Sequence, residues 1–131
     1  MIPKIRAWIE EEKKIVKVGS IEAFNENYVD IWDDDFKNTY YEVTILMQST
    51  GVKDKNGKEI FEGDIVRYEG YLYRINYHPY IKGAFILDGI DNGNTGADGI
   101  FLKGRNYCNM LDYLEVIGNI YENPELLEVE E

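Results

Sequence analysis

Along residues 1–48 the apolar side chains recur at every second position rather than every third or fourth, the period of a half-buried β-strand. Ile5, Ala7 and Ile9 share one face of a first strand, and Val16 and Val18 mark a short second one. Tyr28, Val29, Ile31 and Trp32 make a third that is apolar on both faces. From residue 40 to 48 the alternation runs longer, with Tyr41, Val43, Ile45 and Met47 on an apolar side and a mixed set opposite, which predicts one continuous strand. Residues 10–14 and 33–38 read as charged turns between these runs.

The second half is punctuated by turn chemistry. Gln48-Ser49-Thr50-Gly51 opens it, and Asp54-Lys55-Asn56-Gly57 follows, where Asn-Gly supplies the positive φ values of a tight turn. After Glu62-Gly63-Asp64 comes a strand with Val66 and Tyr68 inward, a two-residue turn at Glu69-Gly70, and a return strand with Tyr71, Tyr73, Ile75 and Tyr77 on one face. A short strand at 84–87 precedes the segment 88–99, twelve residues with four glycines, which reads as a long loop. Met110, Leu111 and Leu114 suggest a brief helical turn, and residues 114–121 a closing strand. Asn123-Pro124-Glu125 places an N-cap residue, a proline and an acid where a short helix or 3₁₀ turn starts. The pattern predicts a mainly β protein. Residues 49–123 are expected to form a small, strongly bent barrel of the SH3 type, with 1–48 as an N-terminal β-sheet wall and 124–131 as a short helical turn and acidic tail.

Length and composition bound this picture. A chain of 131 residues is expected to fold as one domain, burying roughly two-thirds of its unfolded surface. With 44% hydrophobic residues and eleven tyrosines it is too rich in sticky surface for a disordered chain. The N-terminal residues show no apolar signal-peptide region and the apolar runs are short, so a cytoplasmic protein is expected. The lone Cys108 cannot form an internal disulfide, which fits a reducing compartment. The net charge of −11 is spread out: residues 1–48 carry 6 basic and 10 acidic groups, 49–123 carry 8 and 11, and the last eight residues carry four acids. Such a field repels phosphates, and Lys53, Lys55 and Lys58 are interleaved with Asp54 and Glu59, so nucleic-acid binding is not expected.

Three segments carry a resemblance. LMQSTGVKDKNGKEIFEGDIV (residues 46–66), LEVIGNIYENPELL (114–127) and the opening KIRAW (4–8) resemble the YopX family of phage and prophage proteins, in the same order and across nearly the whole chain. The resemblance implies a β-rich fold, a temperate-phage or prophage origin in a low-GC Gram-positive host, and a capacity for homo-oligomers. It implies no biochemical activity and brings no catalytic or binding residues with it. Turn geometry alone accounts for most of the signature: Gly51, Asn56-Gly57, Gly63 and Asn123-Pro124 are backbone punctuation.

No side-chain constellation announces chemistry. His78, the single histidine, has no Ser-His-Asp or Cys-His spacing around it, and one Cys and one His fall short of a zinc site. Asp33-Asp34-Asp35 and the acids Asp88, Asp91 and Asp98 lack the alternate-position pattern of a calcium loop, so no metal and no cofactor are expected. Glu59, Glu62 and Asp64 resemble an acid–base pair only if a cleft holds them; in a turn before a strand they are better read as solvated or capping groups. Gly89, Gly93, Gly96 and Gly99 do not follow the order of a phosphate cradle. The tyrosines stand out instead. Tyr68, Tyr71, Tyr73, Tyr77 and Tyr80 crowd one hairpin, and rigid amphipathic rings on a small β domain suit peptide recognition.

The sequence therefore leads to a non-enzymatic accessory protein acting by protein contact or self-assembly. A first alternative is an acidic DNA mimic or inhibitor of a nucleic-acid enzyme, which requires Glu10 to Glu12, Asp33 to Asp35 and the acidic tail to line one face. A second is a small hydrolase-like enzyme around Glu62, Asp64 and His78, which requires a pocket containing them. Single-strand nucleic-acid binding on stacked tyrosines stands against the charge.

Overall fold

The structure, a computed structural model, describes residues 4–68, 70–78, 84–90, 100–101 and 113–127. They form eleven strands: β1 (Ile5–Ile9), β2 (Lys14–Phe24), β3 (Val29–Asp33), β4 (Thr39–Val43), β5 (Ile45–Lys53), β6 (Glu59–Phe61), β7 (Asp64–Tyr68), β8 (Tyr71–His78), β9 (Ala84–Gly89), β10 (Ile100–Phe101) and β11 (Glu115–Asn119), followed by a 3₁₀ turn at Pro124–Leu127. Two sheets result, with strand orders β4-β3-β2-β1-β5-β6 and β10-β9-β8-β7-β11, and the protein is mainly β. The chain divides into two compact units, Met1–Ser49 and Thr50–Glu131.

In the first unit, antiparallel pairing sets Ala7 opposite both Val16 and Leu46. Ala7, Ile9, Val16, Ile31 and Val43 form its core, with Val18, Val29, Tyr40 and Leu46 packed around them. β2 is longer than the two valines suggest. Its pairing with β3 shifts register twice, between Val18 and Ser20 and between Ile21 and Ala23, and each bulge breaks the alternation by which a strand is read from sequence. The first is tied to Gly19, where an added Cβ would collide with the backbone carbonyl of Asp33.

Residues 40–48, expected as one strand, are two. The β3–β4 ladder shifts so that Tyr41 and Glu42 together oppose Asp30, and Glu42 sits in the left-handed region at φ 55°. The Asp30 carboxylate accepts the Glu42 N–H at 2.9 Å and holds this bulge. The chain leaves β4 at Thr44 and re-enters as β5 against β1, with Trp8 opposite Ile45. Apolar alternation survives the break, which is why the sequence does not reveal it. β5 also continues through Gly51 to Lys53, so the segment 48–51 is strand rather than turn.

In the second unit, Ile60, Val66, Ile75, Leu87 and Leu114 are fully buried together, flanked by Val52, Tyr68, Tyr73 and Val116. The hairpin β7–β8 pairs Tyr68 with Tyr71 and Val66 with Tyr73, as its alternation predicts. The SH3-type barrel is not what the described residues form: the second sheet is open, from β10 at one edge to β11 at the other. The outer edge of β11 is occupied in another way. The turn after β5 reaches it, the Lys55 N–H donating to the Leu114 carbonyl at 2.9 Å and the Asp54 carboxylate accepting the Val116 N–H at 2.8 Å. Backbone groups that a closing strand would pair are thereby satisfied by a turn.

Candidate functional site

Three of the acids noted in the sequence, Asp33, Asp54 and Asp64, anchor backbone. Asp54, buried, accepts the amides of Asn56 and Lys58 through one oxygen, each at 2.9 Å, and that of Val116 through the other. Burial pushes its carboxyl up, but the three amides, Val116 foremost, and the Lys58 charge outweigh this and hold it below its ordinary value. Asp64 is buried and accepts the Phe61 N–H at 2.8 Å, in the turn where Gly63 adopts φ 88°. Glu62 lies in that turn and Glu59 two residues before it, both half-buried. Asn119, also buried, accepts the amides of Tyr121 and Glu122 and donates to the Glu122 carboxylate, while Asn123 caps the Asn119 amide. A Cβ at Gly118 would press on the Asn123 side chain that makes this cap.

Asp33 plays the same part in the first unit. Its two oxygens accept the amides of Lys37 and Asn38 and the side-chain amide of Asn38. Desolvation pushes this carboxyl up, yet those bonds, the Asn38 side chain first, bring it down to about 2. Of the acids that a phosphate mimic would need in a row, Asp33 is turned into its own loop, Glu10 is paired with Lys13, and Glu12 with Lys14 at 3.0 Å. Residues 128–131 lie outside the described residues.

The hairpin tyrosines separate by environment. Tyr68 and Tyr73 pack against the second core, their ring centroids 6.5 Å apart, whereas Tyr71 is 48% exposed. Tyr77 and His78 lie in β8; their side chains, and all of Tyr80, Cys108, Asp91 and Asp98, lie outside the description, as does the segment 91–99. Among the described residues no group of three or more His, Cys, Asp or Glu side chains could hold a metal ion, and no helix is long and apolar enough to cross a membrane.

A concavity that the sequence does not reveal lies in the first unit. It encloses about 180 Å³ and is lined by Trp8, Ile9, Glu10, Glu11, Tyr41, Glu42, Val43, Thr44 and Ile45. The end of β1 meets the β4–β5 corner here, because Trp8 pairs with Ile45 while Ile9 and Val43 share one core. Trp8 is buried, and its indole N–H donates to the Glu10 carboxylate at 2.6 Å. Hydrogen bonds from Lys13 and then Trp8 hold the Glu10 carboxyl below its ordinary value. At the rim, Tyr41 is 69% exposed. Its position follows from the bulge: the left-handed Glu42 turns the chain between Tyr41 and buried Val43.

The arrangement defines a class: an antiparallel β protein of two open sheets whose buried polar side chains bind its own turns. The YopX protein family matches residues 4–128, and the chain belongs to that family. The crystal structure of protein EF1440 from Enterococcus faecalis is similar, with 32% sequence identity and a TM-score of 0.68 over 98% of this chain and 99% of that one. No curated protein matches.

Proposed function

We propose that the chain is an accessory protein of phage or prophage origin that works by binding another protein, and that the contact surface is on its first unit, at the cleft rimmed by Tyr41. One observation carries this reading. A large aromatic side chain is held outward beside a concavity by a non-glycine residue in left-handed backbone, an arrangement that costs roughly 1–3 kcal/mol and persists where the surroundings or a function maintain it. Exposed Phe36 and Ile21 add apolar surface to the same unit. Family membership supports the phage origin, as the resemblance of the signature segments implies. Of the acids that the hydrolase alternative invokes, Asp64 is buried and occupied by the Phe61 amide, which gives that reading less to build on.

Tyr113, 68% exposed and in the second unit, is a matched control for Tyr41. A tagged copy expressed in a host with the whole phage present should bring down a stoichiometric protein partner, lost in Tyr41→Ala and retained in Tyr113→Ala. Recovery of the wild type alone as a monomer, or equal capture by both variants, would overturn the proposal.

A further inference from the structure

Resting on the protein-contact reading above, we propose that the cleft between β1 and the β4–β5 corner receives the guanidinium group of an arginine on the partner protein. Size comes first. About 180 Å³ falls below the roughly 300–1,000 Å³ of small-molecule sites, so the space suits one inserted side chain rather than a metabolite.

Charge selects the sign of that side chain. The nine lining residues include three carboxylates, Glu10, Glu11 and Glu42, and no lysine, arginine or histidine. Glu10 already holds an ammonium group, that of Lys13, at the rim. Among the described residues neither Glu11 nor Glu42 takes part in an ion pair.

The aromatic wall selects the shape. A planar, weakly hydrated guanidinium can lie against a ring face while donating to carboxylates at its edge, a combination that a compact, strongly hydrated ammonium matches less well. Trp8 and Tyr41 supply the rings. The Trp8 indole N–H, the ring's one polar donor, is bonded to Glu10. That bond fixes the ring's orientation before any ligand arrives, which reduces the ordering cost of binding.

The test is an NMR titration of the ¹⁵N-labelled full chain with the capped tripeptide acetyl-Gly-Arg-Gly-amide, alongside the same peptide carrying citrulline, the neutral isostere. The arginine peptide should shift the Trp8 indole N–H and the amides of residues 41 to 45, with the citrulline peptide leaving them in place. Glu42→Gln and Glu11→Gln should each weaken the response several-fold. Absence of shifts at the cleft, equal shifts with citrulline, or an undiminished response in both variants would overturn the inference. Its failure is distinguishable from failure of the contact reading. A Tyr41-dependent partner in a chain that ignores the arginine peptide removes only the arginine, whereas loss of the partner leaves the peptide result to stand by itself.

Discussion

Asp33 and Asp54 perform the same local act in the two units with different reach. Each sits at the start of a turn and accepts amides two to five residues ahead: Lys37 and Asn38 for Asp33, Asn56 and Lys58 for Asp54. The third bond of Asp33 is as local as the other two, accepted from the side chain of Asn38. Asp54 gives its second oxygen to Val116, sixty-two residues away, and so ties the turn after β5 to the edge of β11. A turn-forming aspartate shapes a loop; the same residue with one oxygen left over can also finish a sheet edge. The contrast extends to the surfaces. The second unit uses its signature residues on its own backbone, while the first places a strained bulge and an exposed aromatic beside a cleft.

The largest effects should come from the two cores, which share no residue. Ile75→Ala in the second and Ile31→Ala in the first each remove a fully buried side chain and should lower stability in urea by about 2–5 kcal/mol. Next is the pair of aspartates. Asp54→Ala strips the acceptor from three amides and should cost ~2–3 kcal/mol, and it alone should loosen a distant strand, since all three bonds of Asp33 are local. Loosening of a distant strand by Asp33→Ala as well would break the contrast between a local and a long-range turn.

The glycines differ in the same spirit. Gly19→Ala forces a methyl against a backbone carbonyl that cannot move aside, and overpacking of this kind costs roughly 1–3 kcal/mol. Gly118→Ala meets a side chain, Asn123, which can rotate away at the expense of its cap on Asn119. Thermal unfolding should place Gly19→Ala below Gly118→Ala.

Acid should expose both aspartates. Their folded pKa values lie below the ordinary 3.8, with Asp33 at about 2. Both therefore stabilise the fold above pH 3.8, and that stability is lost as pH falls through the folded values. Urea midpoints of the wild type should fall between pH 4 and pH 2, and the slope should flatten in Asp33→Asn and in Asp54→Asn. The smallest effect belongs to Glu42→Gly: relief of left-handed strain, offset by glycine's greater freedom when unfolded, should leave stability within about 1 kcal/mol of wild type, on the stable side.

The legible parts of the fold were those governed by local chemistry. Alternation locates β1 and the β7–β8 hairpin, a run apolar on both faces locates β3, and the Asn56-Gly57, Gly63 and Asn123-Pro124 signals mark real turns. β2 was underestimated because two bulges interrupt its period, and β4 and β5 were merged because alternation continues across the Glu42 kink. Barrel closure was expected because nothing local shows that a turn at residue 54 would cover the edge of a strand at 116. The cleft was illegible for a related reason: Trp8 to Glu11 and Tyr41 to Ile45 meet only through strand pairing across twenty-nine intervening residues. Of the hairpin tyrosines, alternation puts Tyr71 on the face of Tyr68 and Tyr73, as the register does, but it does not tell that Tyr71, at the hairpin end, is left exposed while the other two pack on the core.

Amide hydrogen exchange at Val116 tests most directly whether Asp54 is the long-range tie that finishes the second sheet. In the wild type the Val116 N–H should exchange slowly. In Asp54→Ala it should exchange markedly faster, while the amide of Ile31 in the first unit keeps its protection. An unchanged Val116 rate in the variant would contradict the account, since the edge of β11 would then be covered by something other than the turn.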